Sequence, residues 1–208
     1  MKTTEFAFFG TADGIYGIAW TERGIVCVQF PERRQAQTLA KMAERFGALQ
    51  EGKPTPFVKT AIEKIVAYCQ GQTVDFSGLP LDLTGVPPFH ARVYAELRKI
   101  SFGRLVTYRD LAVAAGSAGA SRAVGQAMAR NPLPLLIPCH RVVASDRRLG
   151  GFSAPGGAVA TQALLEREGI DLVAATTSHP DPLFDPATLA AAQKTLKKRD
   201  RRLGALME

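Results

Sequence analysis

The first thirty residues leave this chain little choice of fold. "EFAFFG", "IYGIAW" and "IVCVQF" are short runs of aromatic and β-branched side chains, and "TADG" and "TERG" between them end in the glycine that tight turns favour. Runs joined so closely pair side by side in opposite directions, so an antiparallel meander is expected.

Two amphipathic helices should follow. "QAQTLAKMAERFG" sets Leu39, Met42, Ala43 and Phe46 at helical spacing with Gly47 as the stop, and "PFVKTAIEKIVAYCQG" does the same with Val58, Ile62, Ile65, Val66 and Cys69 before Gly71. Cys69 and Cys27 lie in apolar periodic runs and read as core packers. Pro80, Gly85, Pro87 and Pro88 then change the texture, which places a boundary near residues 80–88. The expected division is an N-terminal α/β domain over 1–82, a C-terminal helical domain over 83–172 and a tail over 173–208. The class is α+β.

In the second part "PFHARVYAELRKI" aligns Phe89, Val93, Leu97 and Ile100. "FGRLVTYRDLAVAAG" starts a helix capped by Thr107 with Asp110 at its third position, and "SRAVGQAMAR" starts another at Ser121. Helix, Gly116-bearing turn and helix is the order of a helix-turn-helix. The second of these helices is made of small residues, and Gly125 in its interior costs about 1 kcal/mol relative to Ala. Either the helix packs tightly on a neighbour, or it lies against a nucleic-acid groove with Arg122 at its start placed to probe the base stack.

Composition narrows the function. A chain of 208 residues with 46% apolar content can bury a core without staples. No apolar run approaches the roughly 18 residues of a membrane span, and Glu5 interrupts the stretch where a secretory signal would be apolar. A soluble, intracellular, cytoplasmic protein is expected. Three scattered cysteines exclude a disulfide framework and closely spaced zinc motifs. The formal charge of +7 makes polyanions plausible partners. "SDRRLGGFSAPGG" lacks the spacing of a phosphate cradle, "AVATQALLEREG" reads as a helix with Leu164 and Leu165 inside and Gly169 as its stop, and the basic end of the tail reads as a solvated helix.

Against this background "IPCHRVV" stands out, since it sets Cys139, His140 and Arg141 between apolar neighbours. Buried polar groups need partners. A thiol with an ordinary pKa of about 8.5 needs a base to become a nucleophile at neutral pH, and His140 could serve directly or through water. Adjacent residues in extended chain point apart, so Pro132, Pro134 and Pro138 must frame a special geometry here.

Taken in order, "VTYRDLA", "SRAVGQAMARNPLPLLIPCHRVV", "GGFSAPGG" and "LLEREG" resemble the O6-alkylguanine-DNA alkyltransferases over residues 78–170 or so. That resemblance implies an RNase H-like N-terminal domain and a helix-turn-helix, winged-helix-like second domain. It also implies repair of O6-alkylguanine and O4-alkylthymine in double-stranded DNA, by base flipping through the minor groove and irreversible, single-turnover transfer of the alkyl group to the protein. By the same resemblance Cys139 is the acceptor, His140 the base acting through water, and Glu168 the carboxylate that orients it. Tyr108 crowds the target phosphate and helps protonate the leaving guanine. Arg122 fills the gap left by the base, and Asn131 is the hinge. The carbonyls of Cys139 and Val142 and the amide of Ser153 read the flipped base, with Phe152 in the pocket wall. Arg109, Ser117, Arg130 and Ser145 fall where the family contacts the DNA backbone. Neither cofactor nor metal is implied, and the expected state is a monomer able to load cooperatively on DNA.

This chain departs from the family at Phe152, where Tyr is common, at Thr161, where Lys is common, and in a Gly-rich loop two residues longer. Cys139 separates it from the alkyltransferase-like proteins, which carry Trp there. Outside the family, a helix-turn-helix regulator with a structural Cys139 and a thiol hydrolase are the rival readings. Arg141 is expected in a structural ion pair whose carboxylate the sequence leaves unnamed.

Overall fold

A computed structural model describes residues 4–146 and 157–170. The three expected strands are β1 (Thr4–Thr11), β2 (Gly14–Thr21) and β3 (Gly24–Gln29), paired antiparallel in sequence order. A short strand, β4 (Leu49–Glu51), adds to the other edge of β1 in parallel, giving the order β3-β2-β1-β4. The antiparallel meander is as expected, and β4 extends its sheet by one parallel edge strand that the sequence did not reveal. Three residues were too few to show alternation, and the helix α1 (Gln35–Phe46) supplies the crossover that a parallel pair requires.

Alternation along the strands sorts the sheet into two faces. Phe6, Ala19, Val26 and Cys27 pack with Met42 of α1, while Ala7, Ile18, Trp20, Ile25 and Val28 join the main core. Val26 and Cys27 share a face because the register jumps from Ala19↔Cys27 to Trp20↔Ile25, leaving Val26 as the extra residue of a bulge.

The main core continues without a break from α2 (Pro56–Cys69) into α3 (Pro88–Leu97), α4 (Tyr108–Ala114) and α5 (Ser121–Ala129). Val58, Ile65 and Tyr68 belong to the same cluster as Val93, Leu97, Leu111, Val124, Leu133 and Ile137. The segment expected as a linker is tied to the sheet: Ile25 donates to the Pro80 carbonyl at 2.9 Å and accepts from the Asp82 amide at 2.9 Å. At Gly24 (φ 155°) a Cβ would lie 2.7 Å from the Pro80 carbonyl oxygen, so this approach requires glycine.

α4 begins as expected, with the Thr107 hydroxyl oxygen accepting from the Asp110 amide at 3.1 Å. α4 and α5 flank the turn at Gly116 (φ 78°), completing the helix-turn-helix order. β5 (Val106–Thr107) pairs in parallel with β6 (Val142–Val143), which holds the start of α4 beside the segment that follows Cys139. α6 (Gly157–Arg167) buries Leu164 and Leu165 and ends at Gly169 (φ 75°). Among the described residues no helix is long and apolar enough to cross a membrane, and no cluster of His, Cys, Asp and Glu could hold a metal ion. Phe152, Ser153, the longer Gly-rich loop and the basic tail lie outside the described residues.

Candidate active site

Between α5 and β6 the chain carries three prolines in seven residues, and Asn131 closes the loop they stiffen. The Asn131 side chain donates to the Ile137 carbonyl at 2.8 Å and accepts from the Leu133 amide at 3.0 Å. Its own carbonyl accepts from Arg45 of α1 at 3.0 Å, and the Pro132 carbonyl accepts from the Val28 amide of β3 at 3.0 Å. The N-terminal sheet and its helix thus grip the loop from outside. Leu135, at φ 70°, is the one non-glycine residue in left-handed backbone among those described, and such a conformation costs about 1–3 kcal/mol. It persists because Leu133, Leu135, Leu136 and Ile137 are all buried.

The loop delivers Cys139, His140 and Arg141 into a single 3-10 turn. Successive residues of such a turn fan out around its axis, which resolves how neighbouring polar side chains find separate partners. Cys139, His140 and Arg141 are all buried. Burial pushes the Cys139 thiol up to about 11, against which a hydrogen bond with the Asn131 side chain acts to lower it. At rest the sulfur is a thiol.

His140 and Arg141 converge on Glu168, just past the end of α6. His140 Nε2 lies 2.7 Å from Oε1. Arg141 Nε donates to Oε2 at 2.9 Å, and its Nη2 donates to Oε1 at 3.0 Å. The Gly103 amide donates to Oε2 at 3.0 Å and the Tyr68 hydroxyl to Oε1 at 2.9 Å. Burial alone would raise the Glu168 carboxyl, but the donors from His140 and Arg141 outweigh it and hold the group at about 2. An ionised carboxylate only accepts, so the short contact assigns the ring proton to Nε2 and leaves Nδ1 with its lone pair. Burial lowers His140 below its usual value, and the nearby Arg141 cation adds to this, outweighing the carboxylate. The resting ring is neutral and able to accept a proton.

The sequence-predicted residues separate into two groups. Cys139, His140, Glu168, Asn131 and Val142 are buried together, with Tyr108 half-buried at the start of α4. Burial raises the Tyr108 phenol, and charge on Cys139 would raise it further. Arg109, Arg122, Arg130 and Ser145 are exposed, and Ser117 is half-buried. At Gly125 a Cβ would meet nothing within 4 Å, so packing inside the described chain does not call for glycine there.

Three features were missed from the sequence. Tyr68 reaches Glu168 from α2, the Gly103 amide caps its other oxygen, and Tyr94 of α3 donates to the Ala127 carbonyl of α5 at 2.7 Å. A signal for Tyr68 existed. It continues the spacing Val58, Ala61, Ile65 along the buried face of α2, and a buried tyrosine needs a partner for its hydroxyl.

A helix-turn-helix beside a buried thiol, a neutral imidazole and a paired carboxylate defines a nucleophilic-cysteine protein of the DNA-binding class. Residues 88–170 match the family model described as 6-O-methylguanine DNA methyltransferase, DNA binding domain. A methylated-DNA–protein-cysteine methyltransferase of Metallosphaera sedula is 47% identical over 107 residues, covering 51% of this chain and 65% of its own length. The protein of that name from Cricetulus griseus is 42% identical over 175 residues, covering 80% of this chain and 82% of its own length. The crystal structure of Mycobacterium tuberculosis OGT in complex with DNA superposes with a TM-score of 0.64 at 27% identity, over 79% of this chain and 92% of that one. This chain belongs to the methylated-DNA–protein-cysteine methyltransferase family.

Proposed function

We propose that this protein repairs alkylated DNA by moving the alkyl group from O6 of guanine, and O4 of thymine, onto its own Cys139. The observation that carries the reading is the buried Cys139 thiol, set in one rigid turn with His140 and its Glu168 carboxylate and lying beside a helix-turn-helix. Family membership supports it independently.

Displacement at an alkyl carbon needs an activated thiol and a proton for the leaving base, and it needs no oxyanion hole. His140 Nδ1 takes the Cys139 proton through water. Glu168 holds the ring with Nε2–H turned toward it and stabilises the imidazolium, the logic of nucleophile, base and orienting carboxylate. The new S–C bond forms as the C–O6 bond breaks, and Tyr108 helps protonate the departing guanine. The product is a thioether with no carbonyl for water to attack, so each protein molecule acts once.

The target base must leave the duplex to reach a buried sulfur. Arg122, exposed at the start of α5, fills the gap it leaves. The open space at Gly125 suits a helix lying against a narrow minor groove of about 6 Å. Asn131 acts as the hinge between that helix and the turn. Arg109, Ser117, Arg130 and Ser145 contact the backbone, while the Cys139 and Val142 carbonyls, the Ser153 amide and Phe152 form the base pocket. The protein works as a cytoplasmic monomer without cofactor, loading cooperatively on DNA, with residues 1–82 supporting and 83–172 carrying the reaction.

Incubation with a duplex containing O6-methylguanine is expected to add one methyl group to the protein mass, located on Cys139. An unmodified Cys139 after stoichiometric exposure would sink the reading.

A further inference from the structure

Tyr68 stands outside the reacting set, on a helix that belongs to the N-terminal part of the chain. Yet its hydroxyl donates to Glu168 Oε1 at 2.9 Å, the oxygen that also accepts from His140 Nε2, and the phenol oxygen is 3.4 Å from that nitrogen. The ring is fixed from several sides. It sits 5.9 Å from Phe76, 6.1 Å from Phe102 and 6.4 Å from His140, centroid to centroid, and the Arg167 guanidinium lies 5.7 Å over it. Arg167 is in turn held by two 2.8 Å hydrogen bonds to Asp13, in the turn between β1 and β2. A phenol so placed has little freedom to turn its proton elsewhere.

We infer that Tyr68 is a positioning residue for alkyl transfer: by donating to Glu168 Oε1 it limits how strongly that oxygen draws the His140 proton, and so sets the basicity of the imidazole. The inference rests on the reading of His140 as the base. The groups acting on the imidazole are Tyr68 from α2, Arg141 from its own turn, and Glu168 just past α6. Arg141 must remain paired to keep its charge buried, and the Gly103 amide serves the other oxygen. Tyr68 is therefore the donor whose removal changes the His140–Glu168 balance without leaving a charge unpaired. The carboxylate's free charge then falls more heavily on the imidazolium and favours it, so the ring protonates at higher pH.

The test compares single-turnover methyl transfer from O6-methylguanine duplex by wild type, Tyr68→Phe and Tyr16→Phe across pH. Tyr16 is a second buried tyrosine, whose hydroxyl donates to Asp13 at 3.3 Å and makes no hydrogen bond to His140 or Glu168. Tyr68→Phe is expected to slow transfer about tenfold, the worth of one hydrogen bond to a charged group. It should also move the acid limb of the profile upward by roughly half a pH unit or more, with duplex affinity unchanged. Tyr16→Phe should leave the limb in place. A Tyr68→Phe limb that coincides with wild type overturns the inference, whatever the change in rate. So does an equal upward shift in Tyr16→Phe. Nitrogen-15 shifts of the wild-type imidazole give a readout that needs no variant to fold, and with three histidines in the chain the assignment is tractable. Nε2–H is expected at rest, and an Nδ1–H tautomer overturns the inference. Failure of the wild type to accept a methyl group removes the functional reading itself, and this role with it.

Discussion

Arg141 and Glu168 form a bidentate ion pair with both side chains buried, the guanidinium side chain 6% exposed and the carboxylate 0%. Arg141 also donates to the Ile100 carbonyl, anchoring the turn to the end of the α3 region. Removing one partner of a buried pair strands the other charge, which costs about 3–5 kcal/mol. Arg141→Met is expected to destabilise the fold by that amount in urea unfolding. Lys99→Met, which breaks the pair to Glu96 between side chains 60% and 25% exposed, should cost about 1 kcal/mol or less. Equal losses in the two variants would contradict the burial argument.

The same cluster fixes how stability responds to acid. His140 is lowered in the folded state, so the unfolded chain binds its proton first, and stability falls as pH drops below about 6.5. Glu168 is held at about 2, so its contribution is complete above the ordinary glutamate value and is lost as pH falls from about 4.3 toward 2. Both signs agree: acid destabilises in two successive windows. Thermal unfolding followed from pH 8 to 3 should show them, and Glu168→Gln should shrink the lower one, leaving the part that Asp13, Asp75 and Asp82 contribute, since they too are held below the usual carboxylate range.

Cys139 should be a poor target for general alkylating reagents. With the thiol pushed up to about 11, its thiolate fraction at pH 8 is on the order of 10²-fold below that of a free cysteine at about 8.5. Iodoacetamide labelling at pH 8, read by mass, is expected to be slower by at least that factor, whereas an O6-methylguanine duplex should label it readily. Labelling as fast as free cysteine would mean that the resting sulfur is already ionised.

How far the sequence reveals this site depends on how local each signal is. The β1–β3 meander, the stops at Gly47 and Gly169 and the Thr107 cap each arise within a few residues, and each is found where the pattern places it. The parallel pairings do not share that property. β4 joins β1 over three residues and β5 joins β6 over two, too short for any periodicity to register. Arg141 could be expected in an ion pair, but its carboxylate is 27 residues away and serves His140 at the same time. Tyr68 is not singled out by any local pattern because the partner of its hydroxyl lies 100 residues on. Such convergence is decided by packing, which no window of sequence contains.

Arg122 and Arg130 stand at opposite ends of α5, both exposed, and should separate by role. Arg130→Ala, at a proposed backbone contact, is expected to reduce the salt slope of duplex affinity by about 0.9. Arg122→Ala should leave that slope nearly unchanged and slow transfer roughly tenfold or more, because its loss falls on holding the base outside the stack. Binding titrations at several salt concentrations beside transfer rates decide this. A parallel fall in both quantities for Arg122→Ala would remove the finger role.

Glu168 accepts from five donor groups: the Tyr68 hydroxyl, the Gly103 amide, His140 Nε2, and Nε and Nη2 of Arg141. Both carboxylate oxygens therefore face N–H or O–H groups. A glutamine in its place brings an NH2 that can only donate, and whichever way it turns, that group meets either the Gly103 amide and Arg141 Nε or the Tyr68–His140 side. It also leaves the Arg141 charge without a counter-ion. Glu168→Gln is thus expected to slow methyl transfer by roughly 10²-fold or more, through loss of the ring's orientation and of imidazolium stabilisation. Affinity for unmodified duplex should persist, since the exposed Arg109, Arg122 and Arg130 are untouched. Quenched-flow transfer beside equilibrium binding, at a temperature where circular dichroism shows the variant folded, measures the two separately. Wild-type transfer in this variant would show that the buried carboxylate serves the fold alone.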